Sequence, residues 1–159
     1  MSDAPAIIHI DDPDNPGWKT WSINDDRRFN AIALGKIIVR PTGDQRAMVR
    51  MFPTIAHSNL MDKVHGGVTL AFLDVGLFAA SAVTGHFHAP GSVTISLDTQ
   101  FIGAGEINQP LDADIEIVRA TKRLIFLRGL VVQGDNNIAS FTGIIRRASG
   151  DASTTTAGG

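Results

Sequence analysis

Residues 57–81 read HSNLMDKVHGGVTLAFLDVGLFAAS, and the fold turns on this stretch. A polar run carrying His57, Asn59 and His65 leads into the glycine pair Gly66-Gly67, and a long apolar segment follows. That segment predicts a helix from Gly66 to about Val83. It is apolar nearly all round, so other elements are expected to cover it on most sides. One acid, Asp74, sits inside it. A carboxylate there is costly to bury unless it is paired, hydrogen-bonded or set at a solvated cleft. Local conflict of this kind marks functional sites.

Working outward, the segments on either side read as strands. Gly35–Arg40 and about Gln45–Phe52 flank a turn at Pro41–Asp44 and predict a hairpin before the helix. After the turn-rich Gly85–Gly91, the chain alternates cleanly. Val93, Ile95, Leu97, Thr99 and Phe101 are expected on one buried face, with Thr94, Ser96, Asp98 and Gln100 on the other. Leu111–Ile117 alternates in the same way, and Leu124–Gln133 and Ile138–Arg147 complete the set around a tight turn at Gly134–Asn137. Two strands, one helix and four further strands with short links predict an α+β domain, a curved antiparallel sheet wrapped around one central helix.

The ends carry less pattern. Residues 1–17 hold Pro5, Pro13, Pro16 and several acids and read as an irregular or loosely attached arm. From Trp18 to Leu34 the pattern is mixed, and Phe29, Ile32 and Leu34 can form a short helical turn on the body. The division expected is an arm over 1–28, one domain over 29–147 and a disordered tail over 148–159.

Composition narrows the function. The chain has 159 residues, 43% of them hydrophobic, enough for one domain with a core. A net charge of −2 predicts no strong attraction to nucleic acid or to an anionic membrane. The pairs Arg27-Arg28 and Arg146-Arg147 read as solvated surface. The absence of cysteine excludes disulfide scaffolds, thiolate metal sites and thiol nucleophiles, and fits a cytoplasmic location. No secretory leader pattern is seen, and Val68–Val83 is too short and interrupted for a membrane span.

The order of elements, together with His57-x-Asn59, His65-Gly66-Gly67 and Asp74, resembles the PaaI-like acyl-CoA thioesterases of the hotdog superfamily. The pattern of that family is approximately H-x-N-x-x-G-x-x-H-G-G followed by an acid in the central helix. His57, Asn59, His65, Gly66 and Gly67 match it, and Asp74 falls nine positions after His65 as the pattern requires. Asp62 departs from it, standing where the family usually has glycine. The resemblance covers roughly Phe29 to Arg147, and its specific part is His57–Asp74.

The resemblance implies hydrolysis of an acyl-CoA thioester, with no metal and no cofactor beyond the coenzyme A of the substrate. It implies that the Gly66 N–H polarises the thioester with help from Asn59. Asp74 would act as general base or as nucleophile. His65 would position loop and substrate, or serve as a structural histidine bonded to the backbone; His57 would organise the loop. Thr94 corresponds to a Ser/Thr position that orients water in relatives, its alternative being a half-exposed strand threonine. Arg119, Lys122 and Arg123 lie where coenzyme A phosphates can approach, exposed turn charges being the alternative.

One inference is geometric. Gly66 and Asp74 are eight residues apart, about 12 Å along one helix at ~1.5 Å per residue. Groups so separated cannot both reach one carbonyl carbon and its water. If both act, Gly66 of one subunit works with Asp74 of another, which makes a homodimer a requirement; the resemblance implies a homodimer or homotetramer.

Other constellations are weak. His86-x-His88 lacks a third ligand, Gly103-x-Gly105 lacks the context of a dinucleotide fingerprint, and no G-x-S-x-G elbow occurs. The competing functions are a non-catalytic acyl-CoA-binding module and a hotdog hydratase or dehydratase. The His/Glu and Asp/His patterns of the latter are not found.

Overall fold

A computed structural model describes residues 4–86 and 90–148. The elements are β1 (Ile7–Ile8), β2 (Lys19–Thr20), β3 (Ser22–Ile23), a π-type turn (Asn30–Leu34), β4 (Ile37–Gly43), β5 (Arg46–Met51), a 3-10 turn (Ile55–His57), α1 (Gly66–Val83), β6 (Val93–Phe101), β7 (Leu111–Ala120), β8 (Leu124–Gln133) and β9 (Asn136–Arg146). Seven strands form one antiparallel sheet in the order β2-β4-β5-β7-β8-β9-β6, and β1 pairs with β3 beside it. The α+β architecture read from the sequence is the one observed.

The sheet curves around α1. Phe72, Leu73, Leu77, Ala79 and Ala80 of the helix are fully buried and share one core with Val49, Ile115, Phe141 and Ile145 of the strands. The approach is closest at Gly143, where a Cβ would stand 2.6 Å from Leu77 Cδ1. Only glycine lets the helix seat this deeply. By length and hydropathy α1 could also cross a bilayer, but half of it is buried within this core.

The outer face of the sheet is a row of ion pairs. Arg50 meets Asp112 at 2.6 Å, Arg46 meets Asp114 at 2.8 Å and Arg128 meets Glu116 at 2.9 Å. The Arg128 guanidinium holds the Glu116 carboxyl below its usual range.

Three features differ from the sequence reading. First, β6 does not pair with its chain neighbour β7. It lies beyond β9 at the far edge, and the 102–110 link passes back across the end of the sheet. Buried Gln133 ties that link down: its Oε1 accepts from Glu106 N, and its Nε2 donates to Glu106 O and Gln109 O. Second, a bulge between Thr94 and Ser96 breaks the alternation of β6. Thr94 pairs with Ile145, Leu97 with Gly143 and Thr99 with Phe141, so Thr94 joins the inner face rather than the outer one. Val93, Ile95 and Phe101, expected to be buried, are 41%, 52% and 55% exposed: Val93 pairs with Arg146 on the outer face, Ile95 sits in the bulge, and one side of β6 has no strand beside it in the single chain.

Third, the N-terminal arm is well attached. Trp18 and Trp21 are buried. The Trp18 ring has the Arg40 and Arg50 guanidinium groups 4.7 and 4.8 Å from its centroid. β2 pairs with β4 through Lys19↔Val39 and Thr20↔Ile38. Asp12 is buried and ion-paired to Lys36 at 2.7 Å, which holds its carboxyl below the usual range. In the π-type turn Leu34 packs inward, while Ile32, like Phe29 just before the turn, stays exposed. The tail from residue 149 and His88 of the His86-x-His88 pair lie outside the described residues.

Candidate active site

The loop before α1 is shaped by its own side chains. His57 is buried, and its Nδ1 accepts from Thr54 N at 2.8 Å, closing the turn that precedes the site. Asn59 Oδ1 accepts from Met61 N at 2.8 Å and from Lys63 N at 3.2 Å. Two backbone donors identify that atom as the oxygen, so the Asn59 amide points its Nδ2 donors away from the loop backbone. The chain then reverses through Asp62, whose φ of 55° lies in the left-handed region. Glycine takes that conformation freely, and aspartate is among the few side chains that tolerate it. The departure from the family glycine thus preserves the loop shape.

His65 is the N-cap of α1, and its Nδ1 accepts from Gly67 N at 2.9 Å. Accepting there fixes the neutral tautomer with its proton on Nε2. The first turn of a helix presents four N–H groups without intrahelical partners. Here His65 N bonds to His57 O at 2.8 Å, Gly67 N bonds to the His65 side chain, and Val68 N bonds to His65 O at 2.9 Å. Among the described residues the Gly66 N–H alone of the four has no acceptor. It stands at the positive end of the helix dipole. A Cβ on Gly66 would lie 3.3 Å from the Phe101 ring, so glycine lets that ring pack closely against the helix start.

A cleft of about 570 Å³ opens beside this turn, lined by Ser58, Asn59, Leu60, Met61 and His65. Leu60 and Met61 are almost wholly exposed along it. The sequence reading passed over these two and Phe101. An apolar pair inside an otherwise polar loop was the available signal.

Asp74 lies two turns along α1. It is exposed in the single chain and makes no hydrogen bond or ion pair among the described residues. Gly67 and Leu70 are exposed on the same strip of the helix, so the cover expected on most sides of α1 is absent here. Thr94 Oγ1 is buried on the inner face of β6 without a hydrogen-bond partner. Arg119, Lys122 and Arg123 are at the β7–β8 turn, at the end of β6 away from Gly66. One chain therefore brings Asn59, His65 and Gly66 together and leaves Asp74, Thr94 and the cationic turn apart from them. No group of side chains suited to hold a metal is found among the described residues.

A curved antiparallel sheet around one long helix, with a glycine pair at the helix start, defines the hotdog class. The family model for the thioesterase superfamily matches residues 61–140, half of the chain, and the chain belongs to that superfamily. Solved structures with the same fold include the E. coli PaaI protein from the phenylacetic acid degradation operon: 23% identity, 79% of this chain, 86% of that one, TM-score 0.66. Thioesterase superfamily member 2 from Mus musculus gives 16% identity over 72% of this chain and 84% of that one, with a TM-score of 0.61. A hypothetical thioesterase from Streptococcus pneumoniae TIGR4, solved with coenzyme A, gives 15% identity over 74% of this chain and 90% of that one, with a TM-score of 0.64. No curated protein matches the chain. The resemblance read from His57–Asp74 is borne out for the thioesterase superfamily and for the hotdog fold.

Proposed function

We propose that the protein is an acyl-CoA thioesterase working as a two-fold pair, each site pooling residues of two protomers. The observation that carries the proposal is the Gly66 N–H, the one first-turn donor without an acceptor among the described residues. A thioester carbonyl placed against it would also meet Asn59 Nδ2, giving two donors for the oxyanion. The partner's Asp74 accepts a proton from water as the water oxygen bonds to the carbonyl carbon. The tetrahedral intermediate then collapses, the C–S bond breaks, and the thiolate of coenzyme A leaves and is protonated. Thr94 Oγ1 helps orient the water, and the apolar cleft at Leu60 and Met61 receives acyl substituents.

The open edge of β6 and the uncovered strip Gly67-Leu70-Asp74 support the pairing. The ~12 Å between Gly66 and Asp74 on one helix requires it. Arg119, Lys122 and Arg123 are the cationic groups assigned to the phosphates of coenzyme A.

The test is an assay of purified protein on aliphatic and aromatic acyl-CoA thioesters beside Asp74→Asn. Hydrolysis that falls at least a hundredfold in the variant supports the assignment. Equal hydrolysis by both proteins rejects Asp74 as base, and binding without turnover by wild type rejects the enzyme.

A further inference from the structure

Gln133, the last residue of β8, is buried, although glutamine loses much side-chain freedom and hydration when it is buried. Its Oε1 accepts from Glu106 N at 2.7 Å, and its Nε2 donates to Glu106 O at 2.8 Å and to Gln109 O at 3.3 Å. Both donors of the amide are spent on one segment, the 102–110 link. An apolar side chain would cover that link equally well. Three directional bonds do something more, because they fix where the link lies.

The link in turn frames the loop that carries Asn59 and Gly66. Asn108 N donates to Pro53 O at 2.8 Å, where the loop begins. Val64 N donates to Gly105 O at 2.8 Å, and a Cβ on Gly105 would stand 3.1 Å from Val64 Cγ2. Lys63 faces Glu106 in an isolated bridge, and their side chains meet at 2.6 Å. Phe101, where the link starts, packs against Gly66. On the loop side, Asn59 N donates to Lys63 O at 2.8 Å, and Lys63 N donates to Asn59 Oδ1 at 3.2 Å. Glu106, bonded twice to Gln133, thus lies against Lys63, the residue that braces Asn59.

We propose that Gln133 is a positioning residue for the reaction: through Glu106 and the 102–110 link it sets the aim of the Asn59 and Gly66 donors. The proposal rests on the acyl-CoA reading above, in which those donors meet the oxyanion, and adds what holds them in place. Oxyanion donors work by being fixed before charge develops, and a displacement of about 1 Å can cost about 10²-fold in rate. The helix core anchors Gly66 from one side only. Residues 58–64 belong to no helix or strand, and Leu60 and Met61 are exposed, so the loop takes its place from the link. Without the Gln133 amide, one N–H and two carbonyls of the link lose their partner. The link then shifts toward water and carries Lys63 and Val64 with it. Gln133 touches no reacting atom and acts only through these neighbours.

The experiment compares the full chain with Gln133→Met, which keeps the length of the side chain and removes its hydrogen bonds. Ile38→Val, which trims a fully buried side chain of β4, is the control for lost stability alone. Two readouts are taken at a temperature where every protein is folded. The first is turnover of the acyl-CoA thioester that wild type hydrolyses fastest. In Gln133→Met kcat should fall about tenfold or more while KM moves less than about threefold, the pattern of a lost transition-state interaction. Ile38→Val should keep the wild-type kcat. The second readout needs no turnover: amide hydrogen exchange at Asn59, Val64 and Asn108 should quicken about tenfold or more in Gln133→Met, with the middle of α1 changing no more than in Ile38→Val. Gln133→Asn, which keeps the amide but withdraws it by one methylene, replaces Gln133→Met if that variant fails to fold. A folded variant with the wild-type kcat, or with a raised KM alone, overturns the proposal, as does loop exchange equal to that of wild type. If wild type hydrolyses no thioester, the reaction proposed above fails, and exchange alone decides whether Gln133 fixes the loop.

Discussion

The turn that opens α1 and the strip of α1 beyond it lie on one helix but differ in how much of their surroundings one chain provides. Around the turn the acceptor atoms of the polar side chains are engaged. Asn59 Oδ1 braces the loop, His57 closes it, and His65 caps the helix. What is left over is donors, the Gly66 N–H and the Asn59 Nδ2 group. Along the strip, Leu70 and Asp74 face solvent, and β6 offers a nine-residue edge. A donor of fixed aim needs a rigid cradle, since an oxyanion hole works by being organised before the reaction. A base that moves a proton to and from water needs only to be brought near. The difference matches a site split into a built half and a delivered half.

The largest expected effects break that division directly. Asp74→Asn should lower kcat by about 10²–10⁴-fold, the range for loss of a general base, and leave the melting temperature unmoved. Gly66→Pro removes the N–H itself. His65 at φ −64°, ψ 135° already has the backbone that precedes proline, and proline is at home in the first helical position. A loss of about 10²–10³-fold is expected from one missing oxyanion donor. Each variant is nearly inactive alone. Refolded together in equal amounts they should recover about a quarter of the wild-type rate, since half of random two-fold pairs are mixed and each mixed pair has one intact site. No recovery, with mixed pairs shown to form, would sink the shared site.

Smaller effects sharpen the contrast by testing the built half. Gly143→Ala pushes a methyl into Leu77 and should cost about 1–3 kcal/mol, a fall in Tm of several degrees by calorimetry. Asp62→Gly should leave stability within about 0.5 kcal/mol, because relief at positive φ is offset by a freer unfolded chain. Asp62→Val should cost about 1 kcal/mol or more. The smallest effect concerns the arm. Lys36 holds the Asp12 carboxyl below its ordinary value, so the stability this pair contributes is present above about pH 4 and is lost as pH falls below it. Urea midpoints at pH 6 and pH 3 should differ less in Asp12→Asn than in wild type.

How much of this was legible follows the reach of each signal. The helix, the hairpin before it and the strands after it were read from local periodicity, and the roles of the loop residues from the resemblance to the PaaI-like pattern. The inner placement of Thr94 was not, because one bulged residue reverses the parity of a strand without altering its composition. Neither was the position of β6 beside β9, a pairing of residues some fifty apart in the chain that alternation alone does not encode. The arm looked loose because its prolines and acids hide two tryptophans that bury on the body. Asp74 was marked by the cost of burial, yet in one chain it is open to solvent. That signal described a helix face that the single chain leaves uncovered.

The short pairing of Lys19–Thr20 with β4 has a consequence beyond holding the arm. A sheet open at both margins is a template that can propagate, strand upon strand, into a fibre. Here one margin ends in a strand of only two residues while the other, β6, is nine residues long and bare, so stacking that starts at β6 meets only a short edge on the far side.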